Sequence, residues 1–152
     1  MPAASDLEIR PLAASDEAEW RRLWKAYLAF YETERPEDVY ASSFARMLSG
    51  APNEYRGLIA LLGGHPVGIA HYLFHRTNWE IGDTCYLQDL YADPDVRGSG
   101  IGRALIEAVY AAADAHGAAS VYWTTQEFNT VARQLYDRIG TKTPFIKYVR
   151  AP

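Results

Sequence analysis

Polar and apolar residues alternate over Leu7-Glu8-Ile9-Arg10, which predicts a first strand. Asp16 with Glu19 three positions later reads as a helix N-cap box, and from there the period changes. Trp20, Trp24, Tyr27, Leu28 and Tyr31 recur at spacings of three and four, predicting a helix that runs to about Glu34 and is stopped by Pro36. A shorter helix is expected from about Val39 to Leu48, ending near Ser49-Gly50-Ala51-Pro52. Two apolar runs, Arg56 to Leu62 and Val67 to Arg76, flank Gly63-Gly64-His65-Pro66 and read as a hairpin. Thr84 to Ala92 reads as the next strand, broken by Asp93-Pro94-Asp95. Beyond a glycine cluster, Leu105, Ile106, Val109 and Ala112 or Ala113 mark the core face of a helix to about His116, closed by Gly117. Ser120 to Thr125 reads as a strand, Asn129 to Ile139 as a helix and Phe145 to Arg150 as a last strand. The order βααβββαβαβ predicts an α+β chain with a mixed sheet.

Composition places this pattern in the globular class. The 152 residues are 49% hydrophobic and 22% charged, unlike a disordered chain. The length suits a single domain, expected to span 1–152. No apolar run approaches the roughly 20 residues needed to cross a bilayer, and Met1-Pro2-Ala3-Ala4-Ser5-Asp6 lacks the basic and apolar regions of a signal peptide. Cys85 is the only cysteine, so no intramolecular disulfide can form. A cytoplasmic protein with no membrane partner is the expectation. The net charge is −4 and no Lys/Arg block stands out, so the electrostatic footprint of a nucleic-acid binder is missing. An acidic surface favours a cationic substrate.

The chemistry concentrates in Arg97-Gly98-Ser99-Gly100-Ile101-Gly102, a glycine-rich turn leading into an apolar-periodic helix. Glycines let the backbone take positive φ and approach a ligand, leaving N–H groups free to point at one anion, and a helix N-terminus adds partial positive charge at the same place. Arg97 supplies a cation beside them. A P-loop would need G-x-x-x-x-G-K-[ST], and a dinucleotide fingerprint would need G-x-G-x-x-G early in a βαβ unit. Neither spacing is present. The bland alternative is a glycine-rich helix start with no ligand.

What remains is [QR]-x-x-G-x-[GA], which resembles the acyl-CoA loop of the GCN5-related N-acetyltransferase (GNAT) family. A second cluster, Asn129 followed by Tyr136 and Gly140, resembles the segment in which that family places an Asn near the start of a short helix, then a Tyr, then a terminating Gly. Asn129 and Tyr136 are seven positions apart, so both side chains leave one helix face. The resemblance covers about residues 6 to 150. It implies the GNAT acyl-CoA N-acyltransferase fold, α+β with a mixed, mostly antiparallel twisted sheet flanked by helices, and acetyl-CoA as cofactor. The expected cofactor-binding residues are Leu90, Tyr91 and Ala92 on a strand that splays from its neighbour, Arg97 to Arg103 (Arg97, Gly98, Ser99, Gly100, Ile101, Gly102, Arg103), Asn129 and Tyr136. Tyr27, Tyr31 and Glu32 lie where family members admit the acceptor, and Gln88 is grouped with them. The finish, Thr141 to Tyr148, resembles a fungal histone and polyamine acetyltransferase subgroup whose final strand often joins a dimer partner, so a homodimer is expected.

Acetyl transfer to an amine requires loss of the amine's proton, a donor for the tetrahedral oxyanion and an acid for the departing thiolate. Tyr136 is the candidate acid, since a phenol's pKa of about 10 lies near that of a thiol; the alternative is a core tyrosine beside Leu135. The base is less determined. Spermidine/spermine acetyltransferases, which this segment resembles, carry Leu-Glu-Asp where this chain has Leu87-Gln88-Asp89, and a neutral amide at Gln88 cannot accept the proton. Asp89, Glu32, Glu34, or His71 through water are candidates, and Asp89 faces the wrong side unless the strand bulges. No metal site is expected: His71 and His75 share a strand face but lie about 13 Å apart. The acceptor is a primary amine such as a polyamine or amino acid. A protein lysine acetyltransferase, a nucleotide-binding protein and a non-catalytic acyl-CoA module are the alternatives.

Overall fold

The computed structural model describes residues 6–96 and 98–152. Five strands, β1 (Leu7–Pro11), β2 (Arg56–Leu62), β3 (His65–His75), β4 (Thr84–Ala92) and β5 (Ser120–Tyr122), form one sheet in chain order. Its pairs are antiparallel except β4 with β5, which run parallel. The helices are α1 (Glu17–Phe30), α2 (Glu37–Leu48), α3 (Ile101–His116) and α4 (Thr130–Ile139).

The sheet carries a core on each face. Leu58, Ala60, Ala70, Tyr72, Phe74, Cys85 and Leu87 pack against Leu105, Ile106 and Val109 of α3. On the other face Ile59 and Ile69 meet Trp20, Leu23, Trp24 and Leu28 of α1 and Tyr40 and Phe44 of α2. The alternation of the central strands is thus used on both sides, as expected of a sheet covered twice. The two-residue hairpin at Gly63 and Gly64, with φ of +57° and +83°, has the left-handed geometry that matches strand twist.

Several boundaries depart from the sequence reading. The helix expected to reach Glu34 ends at Phe30, because the chain turns back through Glu32 at φ +56°. Thr33 N–H then bonds the Leu28 carbonyl at 3.0 Å and Glu32 N–H that of Ala29 at 2.9 Å, which closes the helix in the manner of a Schellman motif. Asp16 does not cap α1. Its carboxylate accepts two bonds from the Arg10 guanidinium, at 2.7 and 3.0 Å, and one from Ala13 N–H at 2.7 Å, while Glu19 pairs with Arg22. A bidentate charged pair outcompetes a capping bond. The strand expected over Ser120 to Thr125 stops at Tyr122, where the chain leaves β4. The last expected strand, Phe145 to Arg150, does not form: these residues are exposed and join no strand of the sheet among the described residues.

Two irregularities of β4 position the site. In the β3–β4 ladder His71 stands opposite Asp89 and Tyr72 opposite Leu87, so Gln88 is an extra, bulged residue. The bulge reverses the facing of all that follows. Cys85 and Leu87 point toward α3, and so do Leu90 and Ala92, whereas Asp89 and Tyr91 are turned to α1. On its other edge β4 pairs with β5 only from Thr84 to Tyr86. Beyond Tyr86 the β4–β5 ladder does not continue.

Candidate active site

Where β4 and β5 separate, helices from both faces of the sheet reach one cleft. Tyr27 and Tyr31 enter from α1, Leu87, Gln88 and Leu90 from β4, Trp123 and Thr124 from the segment after β5, and Tyr136 from α4. The structure thus brings together Tyr27, Tyr31, Gln88, Leu90 and Tyr136 of the residues singled out in the sequence. Trp123 and Thr124 were missed. A tryptophan within the Ser120 to Thr125 run was the available signal, and reading that run as regular strand concealed it.

Tyr136 is held by its neighbours. Its ring meets Trp123 edge-on, with centroids 5.5 Å apart, and Leu135 beside it touches the start of α3 at Gly102. Burial, with the nearby Tyr31 adding to it, pushes the Tyr136 hydroxyl up to about 12. The phenol is therefore protonated at neutral pH and can donate. Tyr27 and Tyr31 pack edge to face at 5.0 Å, and burial followed by the charge of Asp89 raises both above the ordinary phenol value.

Behind Tyr27 lies Asp89, buried and turned this way by the bulge. Burial alone would raise its pKa. The hydrogen bond from His71, with the Tyr27 hydroxyl nearby, more than offsets that and holds the carboxyl below the usual carboxylate range. The Trp24 indole N–H leans toward the same carboxylate without reaching hydrogen-bond geometry. His71 Nδ1 lies 2.8 Å from Asp89 Oδ2, and His71 Nε2 lies 2.8 Å from Trp20 Nε1. Both imidazole nitrogens are engaged within the core, so the expectation that His71 could act as a base through water is corrected. Glu32 and Glu34 are exposed beyond the end of α1, outside the residues that line the cleft.

The glycine loop starts α3 at the end of β4. Gly98 and Gly100 have φ of +88° and +75°, and a Cβ at either position would meet no protein atom within 4 Å. Both glycines thus border open space and hold a backbone form that other residues resist. Gly102 differs from expectation: it lies inside the first turn of α3, facing Leu135. No side chain caps α3, and Ala104 N–H bonds the Gly100 carbonyl at 2.9 Å, so the amides at the helix start are available to an anion, except that of Ser99, which donates to the Val96 carbonyl at 3.3 Å. Ile101 contributes main chain alone because its side chain is buried in the core. The Arg103 guanidinium bonds Glu107 at 2.8 Å on the surface. Arg97 lies outside the described residues. Asn129 caps α4, accepting from Ala132 N–H at 3.4 Å, and its amide nitrogen makes a 3.5 Å contact with Thr125. Open φ-positive glycines, an uncapped helix start and the gap between β4 and β5 beside Tyr136 fit a cofactor with a diphosphate at one end and a thioester at the other. Among the described residues no His, Cys, Asp and Glu cluster could hold a metal ion, and no helix is long and apolar enough to cross a membrane.

Comparison with known proteins agrees with this geometry. The model of the acetyltransferase (GNAT) family matches residues 18–141. The chain is 36% identical over 143 residues to D-amino-acid N-acetyltransferase HPA3 of Saccharomyces cerevisiae, covering 93% of this chain and 89% of that protein. It is 32% identical over 103 residues to thialysine N-epsilon-acetyltransferase of Bos taurus, covering 68% of this chain and 56% of that one. In fold it is similar to AAC(6')-Iy, solved with a bisubstrate analogue of CoA and acetylneamine, with a TM-score of 0.83 at 20% identity over 96% of this chain and 98% of that one.

Proposed function

The chain belongs to the acetyltransferase (GNAT) family, and from that premise we propose that it transfers acetyl from acetyl-CoA to a small primary amine, with an amino acid as the first acceptor to test. That the protein is an acetyl-CoA-dependent N-acetyltransferase follows from the family. The acceptor class is supported by the relative of matching length, which acetylates D-amino acids by name, and by the net charge of −4, which favours a cationic substrate. The observation that carries the reading is Tyr136. Its buried, protonated hydroxyl opens onto the same cleft as Tyr27, Tyr31 and Gln88, at the gap between β4 and β5.

In this reading the amides of Gly98, Gly100, Ile101, Gly102 and Arg103 and the Ser99 hydroxyl, with the Arg97 side chain and Asn129, hold the cofactor. Main chain at Leu90, Tyr91 and Ala92 orients the thioester carbonyl. Acetyl-CoA supplies an activated acyl group whose carbon a neutral amine attacks directly. As the N–C bond forms, the amine's proton passes to the Tyr27 oxygen while Tyr27 gives its own proton to Asp89. As the C–S bond breaks, Tyr136 gives its proton to the leaving sulfur. Asp89 is the anionic end of the proton path and Tyr136 the acid. Glu32, exposed at the end of α1, contacts the portion of the acceptor that faces solvent.

The protein functions as a single cytoplasmic domain over 1–152 and forms a homodimer without nucleic acid or membrane. The exposed apolar finish supports the dimer: Phe145, Ile146, Tyr148 and Val149 have no partner strand on this chain, and β5 leaves one edge of the sheet open. Release of free CoA thiol from acetyl-CoA, measured with a panel of D- and L-amino acids, polyamines and a lysine peptide, tests the substrate class. Turnover with free amino acids is expected. Turnover confined to the peptide would overturn the small-amine reading.

A further inference from the structure

The mechanism above uses Asp89 but leaves unused two buried polar residues behind it. Trp20, His71 and Asp89 are 0%, 4% and 6% exposed and come from α1, β3 and β4 respectively. We propose that Trp20 and His71 are positioning residues for acetyl transfer: the Trp20 indole fixes the His71 tautomer, so that His71 donates to Asp89 and Asp89 remains an unneutralised anion behind Tyr27.

The assignment follows from donor and acceptor identities. An indole N–H is a donor only. At 2.8 Å from Trp20 Nε1, His71 Nε2 must therefore accept, and it carries no proton. The imidazole's single proton then sits on Nδ1, which lies 2.8 Å from Asp89 Oδ2 and donates to it. A second proton on the ring would set two N–H groups against each other at 2.8 Å in a buried site. Trp20 thus opposes the imidazolium form, in which the ring charge would cancel that of Asp89.

The charge of Asp89 has no other formal compensation. The groups facing the pair are the indoles of Trp20 and Trp24 and the hydroxyls of Tyr27 and Tyr31 from α1, with the Tyr55 hydroxyl at longer range. Among the described residues no Lys or Arg pairs with Asp89. The groups that lower the pKa of the carboxylate are His71, Tyr27 and Trp24, and its field is available to the ammonium or amine that enters beside Tyr27. This inference rests on the proposed role of Asp89.

The test uses the full-length protein and four variants, Trp20→Phe, His71→Leu, His71→Asn and Asp89→Asn. Nitrogen-detected NMR of the wild type is expected to show His71 with a proton on Nδ1 and none on Nε2. Trp20→Phe retains the ring but frees Nε2. It is expected to raise the acceptor KM about tenfold between pH 8 and pH 6, the range in which an unrestrained imidazole takes up its proton, with acetyl-CoA affinity unchanged. The wild type is expected to show no such limb. His71→Leu is expected to lower kcat/KM for the amine at least tenfold at every pH, and His71→Asn, whose amide can donate to Asp89, to restore most of it. Melting temperature and acetyl-CoA binding separate these effects from misfolding. A proton on Nε2 in the wild type, or pH-independent kinetics in Trp20→Phe, overturns the proposal. Inactive Asp89→Asn beside wild-type Trp20→Phe and His71→Leu sinks the positioning role alone; fully active Asp89→Asn sinks the reading of Asp89, and this inference with it.

Discussion

Gly140 is pressed against Trp123: a Cβ built on it would lie 3.0 and 3.1 Å from two atoms of the indole ring. The glycine is extended, with φ −141°, so the position is set by space and not by backbone handedness. The same indole meets the ring of Tyr136 edge-on, and Gly140 N–H bonds the Tyr136 carbonyl at 2.8 Å. The residue that follows α4 therefore helps aim the candidate acid through a shared aromatic neighbour. Gly140→Ala is expected to displace Trp123, destabilise the fold by about 1–3 kcal/mol as overpacking does, and lower kcat more than it changes the cofactor's KM. Denaturation curves and initial rates check both halves; unchanged kcat would mean that Trp123 does not position Tyr136.

Tyr136→Phe removes the donor and keeps the ring. It is expected to lower kcat about 10²-fold, within the usual range for a general acid, with cofactor affinity nearly unchanged. The sign of its pH dependence follows from the raised hydroxyl. The required form is the protonated one, so with burial holding it up to about 12 the residue imposes no loss of activity as pH rises to 10. A kcat profile of the wild type with a basic limb below pH 9 that disappears in Tyr136→Phe would contradict this.

Much of the site could be read in advance where residue type reports directly on backbone need. Gly98 and Gly100 announced positive φ, and the Tyr136 to Gly140 spacing announced a helix end. The bulge at Gln88 was less accessible because a bulge costs only one residue of register. Its trace is nonetheless present: Cys85 and Leu87 share one apolar phase, Leu90 and Ala92 share the other, and two polar residues separate them. Trp20, Trp24 and Leu28 of the α1 stripe lie in the core, yet nothing in the spacing revealed that Trp20 would meet His71, 51 positions away. Long-range pairs of this kind depend on strand order and register. The final strand failed for the opposite reason, since local pattern was right and the partner was missing.

Gly100→Val is expected to weaken CoA binding at least tenfold. Two effects act: a branched residue resists φ +75° at a cost of about 1–2 kcal/mol, and its side chain enters the open space beside the start of α3. Gly50→Val separates them. Gly50 has φ +70° and equally open surroundings, but it lies between α2 and β2, so it carries the backbone strain alone. Calorimetric titration with CoA is expected to show full affinity for Gly50→Val and loss for Gly100→Val. Equal losses would mean that the glycine loop acts through stability and not by contact.

Removal of residues 145–152 is expected to convert a dimer into a monomer. Phe145, Ile146, Tyr148 and Val149 are 78%, 75%, 88% and 75% exposed, a density of apolar surface that an isolated chain end has no reason to keep. Pro144, without an N–H, suits the first position of a strand that then pairs elsewhere, and β5 offers an edge only three residues long. Pairing between copies satisfies both, because each tail gains a ladder and each short edge strand gains a cover. Light scattering should read twice the chain mass for the full-length protein and one chain mass for the truncated one. A monomeric full-length protein at micromolar concentration would overturn the assignment and leave the finish as an unpaired surface strand segment.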